Sequence, residues 1–309
     1  MSLKSVLRSR PVIYEIVPPR RDISRFNTEL QGVDEVLHDS RIAAINVPEL
    51  INTRREREQA HYSPATIPPE EYAMMIKDNK ESIVNIIAPR LAKDEFLRRA
   101  RRVLHEYDIP NLIVVGKERR NDVLPGPSVV EALGLLKRGK HDQSTLGGIC
   151  IFNRRTSGSA EYPIEGLTLS EPERVQIKAD AGCDFVTSQI TFEAQPVLDF
   201  LQAYQDLCEK SGSSPLTVFV SLATVPSSSI LALIEKLDVL VPERVKRRLL
   251  GSESVGQESL RVATEIFQEI ISEAERLKLD VPLGLQIEQI GVYNDEPSLR
   301  LLDNLYPML

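Results

Sequence analysis

The segment Tyr14-Glu15-Ile16-Val17-Pro18-Pro19-Arg20 places a carboxyl group at the end of the first apolar run of the chain. Proline fixes its own φ and moves the preceding residue out of the helical region, so the predicted strand ends here with Glu15 near its exit. A carboxyl group held in such a place acts as a general acid when burial raises its pKa. An isolated acidic residue at a strand end is more often solvated or ion-paired, so the other elements decide the interpretation.

Eight apolar runs typical of strands alternate with segments of helical periodicity along the chain. The predicted strands are Pro11–Val17, Arg41–Val47, Ser82–Ala88, Asn111–Val115, Gly148–Phe152, Cys183–Ile190, Leu216–Leu222 and Pro282–Ile290. The predicted helices are Ser24–Leu37, one opening near Pro68, Asp94–Tyr107 with Asp94 as its N-cap, Ser128–Lys137, two opening at Ser170 and Pro196, Ser227–Leu237, Pro242–Leu250, Ser254–Leu277 and Glu296–Leu305.

This alternation indicates parallel strands, because parallel neighbours are joined by crossover helices. Eight such units predict an α/β fold, a single-domain (β/α)8 TIM barrel over residues 1–309. A doubly wound open sheet is the alternative architecture.

In a (β/α)8 barrel the carboxyl ends of the strands surround the active site. The polar residues predicted at these exits are Glu15, Asn46, Asn85 or the nearby Arg90, Lys117, Asn153 with Arg154, Gln189, Thr224, and Glu288 or Gln289. Two carboxyl groups, a lysine and several amides would therefore share one cavity. Lys117 has three interpretations: a substrate contact, an ion pair with Glu15 that only stiffens the mouth, or a Schiff-base nucleophile for carbonyl chemistry.

Composition narrows the class of function. The chain has 309 residues, 42% of them hydrophobic, and a net charge of −7, which argues against a nucleic-acid-binding surface. Its three cysteines, Cys150, Cys183 and Cys208, show no metal-ligand spacing and predict reduced thiols in a cytoplasmic protein. No apolar run approaches the roughly 20 residues of a membrane-spanning helix. We expect a soluble protein.

Two familiar chemistries are disfavoured by the details of the motifs. Gly134 to His141 nearly matches a phosphate-binding loop, but His141 stands where Ser or Thr is needed and the segment follows a helix rather than a strand. The four histidines, His38, His61, His105 and His141, are scattered singly, so no metal site is predicted.

Three segments resemble the methylenetetrahydrofolate reductase family. The opening motif of that family, an aromatic residue, Glu, two apolar residues and Pro-Pro-Lys/Arg, is similar to Tyr14–Arg20. The stretch Ile177–Phe192 matches its lysine-x-x-Ala-Gly-Ala segment leading to Thr-Gln and an aromatic residue, and Leu237–Leu250 is similar to the block after its seventh strand. The resemblance spans almost the whole sequence and implies a barrel that binds a reduced folate at the strand exits.

The resemblance assigns roles to particular residues. Glu15 falls on the acid that protonates the bridging nitrogen of the folate, which opens the ring to an iminium ready for hydride attack. Gln189 falls on the glutamine that hydrogen-bonds the pterin, and we predict Lys117 and Glu288 as further substrate contacts. Lys178, Asn85 and Asn153 are predicted on the side of the cofactor, which in the family is FAD.

Four positions depart from the family pattern, and all of them concern the flavin or its surroundings. These are Gly116-Lys117 in place of Gly-Asp, Asn85–Ala88 in place of a histidine-containing motif, Asn153-Arg154-Arg155 in place of an acidic residue and a histidine, and Ile177 in place of an arginine. The departures predict weak FAD binding or none, with hydride arriving directly from NAD(P)H or through a redox partner protein.

We therefore expect an oxidoreductase of folate one-carbon metabolism that converts 5,10-methylene- to 5-methyl-tetrahydrofolate. The first alternative is a barrel that binds a folate or a partner protein without catalysis. The second is a Schiff-base lyase that uses Lys117. The sequence leaves the oligomeric state open, including a homo-oligomer.

Overall fold

Eight parallel strands close into a barrel in the computed structural model, which describes residues 2–19, 33–50, 66–77, 80–117, 123–139, 144–152, 162–164, 167–290 and 296–309. The barrel strands are β1 (Val12–Glu15), β2 (Ile42–Val47), β3 (Glu81–Ile87), β4 (Asn111–Val115), β5 (Thr145–Cys150), β8 (Phe185–Ser188), β9 (Thr217–Leu222) and β10 (Leu283–Glu288). Their order around the barrel is β1-β10-β9-β8-β5-β4-β3-β2, so the first and last strands pair and close it. The predicted (β/α)8 fold is confirmed.

Helices follow the strands in the order that parallel crossovers require. They are α1 (Leu3–Val6), α2 (helical at residues 33–38), α3 (Pro69–Met75), α4 (Lys93–Arg101), α5 (Val129–Lys137), α6 (Glu171–Asp180), α7 (Gln195–Ser211), α8 (Ser228–Lys236), α9 (Glu243–Leu250), α10 (Val255–Arg276) and α11 (Glu296–Leu305). The predicted opening of α6 at Ser170 is confirmed, and it forms a capping pair in which the Ser170 amide donates to the Glu173 carboxylate at 2.7 Å.

Some predicted boundaries were wrong. The fifth barrel strand begins at Thr145 instead of Gly148. A short antiparallel hairpin of β6 (Tyr162–Ile164) and β7 (Leu167–Leu169) lies between that strand and the helix opening at Ser170, where no strand was predicted. Strands of three residues are too short to show an alternating pattern. Asp94 does not cap α4, whose N-cap is Ala92; it lies in the first turn, where a carboxylate favours the helix dipole.

Alternation along the barrel strands builds an apolar floor. Side chains of six strands meet inside the barrel in one buried cluster, and the inward residues are Ile13, Ala44, Ile83, Ile113, Phe185 and Phe219. The two phenylalanine rings contact edge to face, with centroids 5.5 Å apart. Gly147 and Gly284 make room for these rings, since an added Cβ would lie 2.5 Å from Phe185 and 2.6 Å from Phe219.

The amino-terminal segment closes the bottom of the barrel. Leu3, Val6 and Leu7 pack against the apolar floor. The Leu3 amide donates to the Glu81 carboxylate at 2.8 Å, and the hydroxyl of Thr217 donates to the Leu7 carbonyl at 2.8 Å. With one end plugged, the interior opens toward the carboxyl ends of the strands.

A buried ion-pair network fixes the β2 and β3 exits. Arg99 of α4 donates to Glu49 at 2.8 Å and to both oxygens of Glu70 at 2.9 and 2.8 Å. Glu49 also accepts the amide of Ile87, the last residue of β3, at 2.6 Å. The segment after β2 is thereby tied to the end of β3.

Within the described ranges, none of the helices combines the length and hydrophobicity that crossing a bilayer requires.

Candidate functional site

A cavity of about 190 Å³ opens at the carboxyl ends of the strands. Its lining residues are Glu15, Asn46, Asn85, Ile149, Ile151, Thr187, Ser188, Gln189, Gln286 and Glu288. Four of them stand two residues beyond a floor residue on the same strand: Glu15, Asn46, Asn85 and Thr187. Because side chains alternate along a strand, this spacing turns them inward above the floor.

Glu15 lies between two amide side chains. The Asn46 amide donates to its Oε2 at 2.9 Å from β2, and the Gln286 amide lies 3.3 Å from the same atom on β10. The strand register places both neighbours, since Glu15 pairs with Asn46 on β2 and with Glu288 on β10, and Gln286 lies two residues before Glu288 on the same face. The carboxyl group is thus fixed in direction by amides and faces the cavity.

Glu288 brings a second carboxyl group to the same wall. The Gln286 amide lies 3.2 Å from its Oε1, so one side-chain NH2 group contacts both glutamates. Among the residues lining the cavity within the described ranges, Glu15 and Glu288 are the titratable ones. Two acidic groups therefore face each other without a lining cation.

Burial raises the pKa of both carboxyl groups. For Glu15 the largest cause is desolvation and the next is the charge of Glu288, and together they outweigh the Asn46 hydrogen bond that lowers the pKa. For Glu288 desolvation raises the pKa to about 7 against hydrogen bonds from Ser221 and Gln286. Both side chains keep partial access to the cavity, so either can exchange a proton with a ligand or with solvent.

Three buried amide oxygens of the lining lack a hydrogen-bond partner among the described residues: Asn46 Oδ1, Asn85 Oδ1 and Gln286 Oε1. A buried carbonyl oxygen without a donor is costly, and natural proteins retain few of them. Together with the glutamates they form an acceptor-rich wall. The ligand that this wall suits carries several N–H donors.

The predicted substrate residues separate into two groups. Gln189 and Glu288 line the cavity with Glu15. Lys117 is exposed beyond the end of β4 and is not among the lining residues. The Glu15 contacts described above come from amides rather than from Lys117, and the Schiff-base hypothesis stays a prediction.

The predicted cofactor residues do not converge. Asn85 lines the cavity, whereas Asn153 lies outside the described residues. Lys178 is buried between α6 and the outer face of β5, where its Nζ donates to the Ile149 carbonyl at 2.5 Å and lies 3.9 Å from Glu171. Desolvation lowers the pKa of Lys178, and Glu171 opposes that shift. Its amine is engaged with the barrel wall rather than with the cavity.

The described residues therefore do not assemble the flavin-binding set that the resemblance implies. The strand lies between the Lys178 amine and the cavity, because Gly148, which packs against Lys178, faces away from the inward Ile149. No lining residue in the described ranges carries a positive charge for a phosphate.

Sequence reasoning missed Gln286, Thr187 and Ser188 as cavity residues. The signal was present for two of them: Thr187 lies two residues after the buried Phe185, and Gln286 lies two residues before Glu288. Ser188 could not be found this way, because it ends β8 and also hydrogen-bonds β9 through the Ser221 amide at 2.9 Å.

The closed parallel barrel, plugged at one end and polar at the other, defines the chain as a (β/α)8 barrel protein with a strand-exit cavity. No protein-family model matches the sequence, and no curated protein matches it.

Solved structures do match the fold. An uncharacterised protein from Clostridium thermocellum, which binds two copies of 5-methyl-5,6,7,8-tetrahydrofolic acid, superimposes with a TM-score of 0.77 at 18% identity over 99% of both chains. A GH18 chitinase from Pseudoalteromonas aurantia superimposes with a TM-score of 0.51 at 8% identity, over 96% of this chain and 99% of the chitinase. At these identities the likeness establishes the shared barrel fold.

Proposed function

We propose that this protein binds a reduced folate in the strand-exit cavity and reduces its 5,10-methylene group to a 5-methyl group, with Glu15 as the acid. The observation that carries the proposal is the Glu15 carboxyl group, oriented by Asn46 and Gln286 and held by burial at a raised pKa. Burial favours the protonated form of this carboxyl group, which faces the cavity, as a general acid must.

The acceptor-rich wall supports a pterin as the ligand. A reduced pterin presents an amino group and ring N–H groups along its edge, which match the partnerless oxygens of Asn46, Asn85 and Gln286. The cavity of about 190 Å³ is smaller than the roughly 300 Å³ at which drug-sized pockets begin, so it suits a ring system and leaves the rest of a folate at the mouth. The similar fold that binds 5-methyl-tetrahydrofolic acid supports the same substrate class.

The proposed reaction begins with proton transfer from Glu15 to the bridging nitrogen. The carbon–nitrogen bond to that nitrogen breaks, and the one-carbon unit remains on the other nitrogen as an iminium cation. A hydride from reduced nicotinamide then adds to this carbon and gives the methyl group and oxidised nicotinamide. Glu15 regains its proton from solvent through the cavity.

Glu15→Gln tests the acid role, because the amide keeps the shape and cannot donate a carboxyl proton. We expect turnover of 5,10-methylene-tetrahydrofolate with NADH or NADPH to fall by about 10²- to 10⁴-fold while the Kd for 5-methyl-tetrahydrofolate, from equilibrium dialysis, changes less than threefold. Glu273→Gln on the surface of α10 is the matched control. Loss of binding together with turnover would count against the acid role, and adding FAD to the same assays tests a flavin route.

A second candidate function is folate binding without catalysis. It is favoured by the position of Lys178, a predicted cofactor contact whose amine hydrogen-bonds the Ile149 carbonyl instead of facing the cavity. In that case 5-methyl-tetrahydrofolate binds and neither nicotinamide nor added FAD supports turnover. The number of bound folates per chain, measured in the same dialysis, shows whether the two copies seen in the similar structure apply here.

A further inference from the structure

Glu288 is the register partner of Glu15 on the neighbouring strand. Adjacent strands lie about 4.8 Å apart, and paired residues of parallel strands point to the same face. The Gln286 amide lies 3.3 Å from Glu15 Oε2 and 3.2 Å from Glu288 Oε1. The two carboxyl groups are therefore held side by side across one amide group.

The described residues around this pair offer it no positive charge. From β2 and β3 the groups facing it are Asn46 and Asn85, from β5 Ile149 and Ile151, and from β8 Thr187, Ser188 and Gln189. All are neutral, and the exposed Lys117 is not part of this lining. Two carboxylates in such a site repel strongly, so one of them keeps its proton.

We propose that Glu15 and Glu288 form a coupled carboxyl pair, bridged by the Gln286 amide, that retains one proton, and that ionised Glu288 is the positioning residue that keeps this proton on Glu15. This inference rests on the proposed function for its role in turnover, while the coupled carboxyl pair itself is a property of the ligand-free protein. The pKa direction agrees, because the charge of ionised Glu288 raises the pKa of Glu15.

The pair also suits the charge that the proposed reaction creates. Once the Glu15 proton has moved to the bridging nitrogen, both carboxyl groups are ionised and the opened folate carries one positive charge. The iminium cation relieves the repulsion between the two carboxylates, and proton uptake by Glu15 after hydride addition restores the starting state. No other oxidant or reductant is needed beyond the nicotinamide.

The first test follows the carboxyl groups by NMR in the ligand-free protein labelled with [5-¹³C]glutamate. We compare the wild type with Glu15→Gln, Glu288→Gln and the surface control Glu273→Gln across pH 4 to 10. We expect two resonances that titrate above the ordinary range of glutamate, one lost in each cavity variant. In Glu288→Gln the Glu15 carboxyl group should titrate at least one pH unit lower than in the wild type, whereas in Glu15→Gln the Glu288 midpoint should change little, because in the proposed order Glu288 ionises while Glu15 is still protonated. An unchanged Glu15 midpoint in Glu288→Gln would show two independently buried groups and overturn the proposal.

The second test reads the pH profile of turnover. Glu288→Gln removes the charge that holds the proton on Glu15. The pH at which kcat begins to decline on the alkaline side should therefore fall by one unit or more, and at pH values above that point kcat should be about tenfold lower than in the wild type. KM for 5,10-methylene-tetrahydrofolate should stay within twofold of the wild type. Glu288→Asp keeps a carboxyl group at this position, so it should return the alkaline decline of kcat most of the way to its wild-type pH. A raised KM with an unmoved alkaline decline would make Glu288 a plain substrate contact and overturn the positioning role.

The two proposals fail in different ways. If the two carboxyl groups titrate as a coupled pair but the protein neither binds nor turns over folate, the carboxyl pair is supported and the proposed function is contradicted. Uncoupled titration with normal turnover removes the pair and leaves the function. Thermal unfolding of each variant confirms that the compared proteins are folded.

Discussion

Asn46 donates its side-chain amide to Glu15 at 2.9 Å, while its own carbonyl oxygen is buried without a partner among the described residues. One side chain thus orients the proposed acid with one end and offers an acceptor to a ligand with the other. Asn46 lies two residues beyond the floor residue Ala44, so its side chain points into the barrel toward both Glu15 and the cavity.

We expect Asn46→Leu to weaken binding of 5-methyl-tetrahydrofolate about tenfold, equal to about 1.4 kcal/mol, because a ligand N–H would lose its acceptor. The unfolding free energy should change little, since one hydrogen bond of about 1 kcal/mol is lost while an unpaired carbonyl oxygen is removed. Equilibrium dialysis and thermal unfolding measure the two quantities.

Ser82→Ala is the control for this substitution. The Ser82 hydroxyl is also buried without a partner in the described residues, but Ser82 does not line the cavity. Its removal should leave folate affinity unchanged. An equal loss of affinity in both variants would mean that Asn46 acts through general packing.

The Glu288→Gln variant should become more stable than the wild type by an amount that grows as the pH rises. The folded-state pKa of Glu288 is raised to about 7, so between about pH 4.5 and pH 7 the folded state holds a proton that the unfolded state has released. Stability therefore falls with rising pH through this window, by about 3 kcal/mol at most because cavity water screens the group. The neutral amide does not carry this penalty, so the Tm difference between variant and wild type should grow from pH 4.5 to pH 8.

For Glu273→Gln we expect a pH dependence of the stability difference opposite to that of Glu288→Gln. Its ion pair with Arg276 lowers the pKa of Glu273, so its contribution to stability is present above the unfolded pKa and is lost on acidification. Differential scanning calorimetry of both variants at the two pH values makes the comparison. A Tm difference for Glu288→Gln that does not grow with pH contradicts the raised pKa.

Gly147→Ala should destabilise the barrel by about 1–3 kcal/mol. The new methyl carbon would lie 2.5 Å from the Phe185 ring and 2.8 Å from Ile113, both in the packed floor. Gly134→Ala is the matched substitution in the middle of α5, where nothing lies within 4 Å of the new carbon, and it should stabilise by about 0.5–1 kcal/mol. Urea unfolding of both variants tests this, and similar signs for the two would contradict the packing of the floor.

Arg99→Met should cost about 3–5 kcal/mol, because it leaves the Glu49 and Glu70 carboxylates buried without their cation. The released Glu49 also loosens the β3 end at Ile87, so folate affinity should fall along with stability. Arg300→Met, which breaks the exposed pair with Glu296, should cost less than about 0.5 kcal/mol. Urea unfolding measures both, and a loss for Arg99→Met no larger than that control would mean that the buried network contributes little.

The strand exits could be predicted largely from the chain alone. Prolines 18 and 19 end the first strand after Glu15, and the apolar runs locate the other strands well enough that Asn46 and Gln189 were predicted at exits. At two further exits the prediction left a choice, Asn85 or Arg90 and Glu288 or Gln289, and the cavity is lined by Asn85 and Glu288. Boundaries were less certain where a run is short or begins with small residues, as at Thr145 and in the β6–β7 hairpin. Local pattern sets where a strand exists, whereas its ladder partners set where it starts.

The sequence by itself determined the alternating strand and helix units and most of the exit positions, because alternation and helical periodicity are local properties of the chain. The tertiary structure alone decided which of those residues meet. Glu15 and Gln286 are 271 residues apart and become neighbours because β1 pairs with β10 to close the barrel. The same closure sets the register that pairs Glu15 with Glu288, and the packing of α6 on the outside of β5 keeps Lys178 away from the cavity. Register and helix docking depend on contacts between distant segments, which no local pattern encodes.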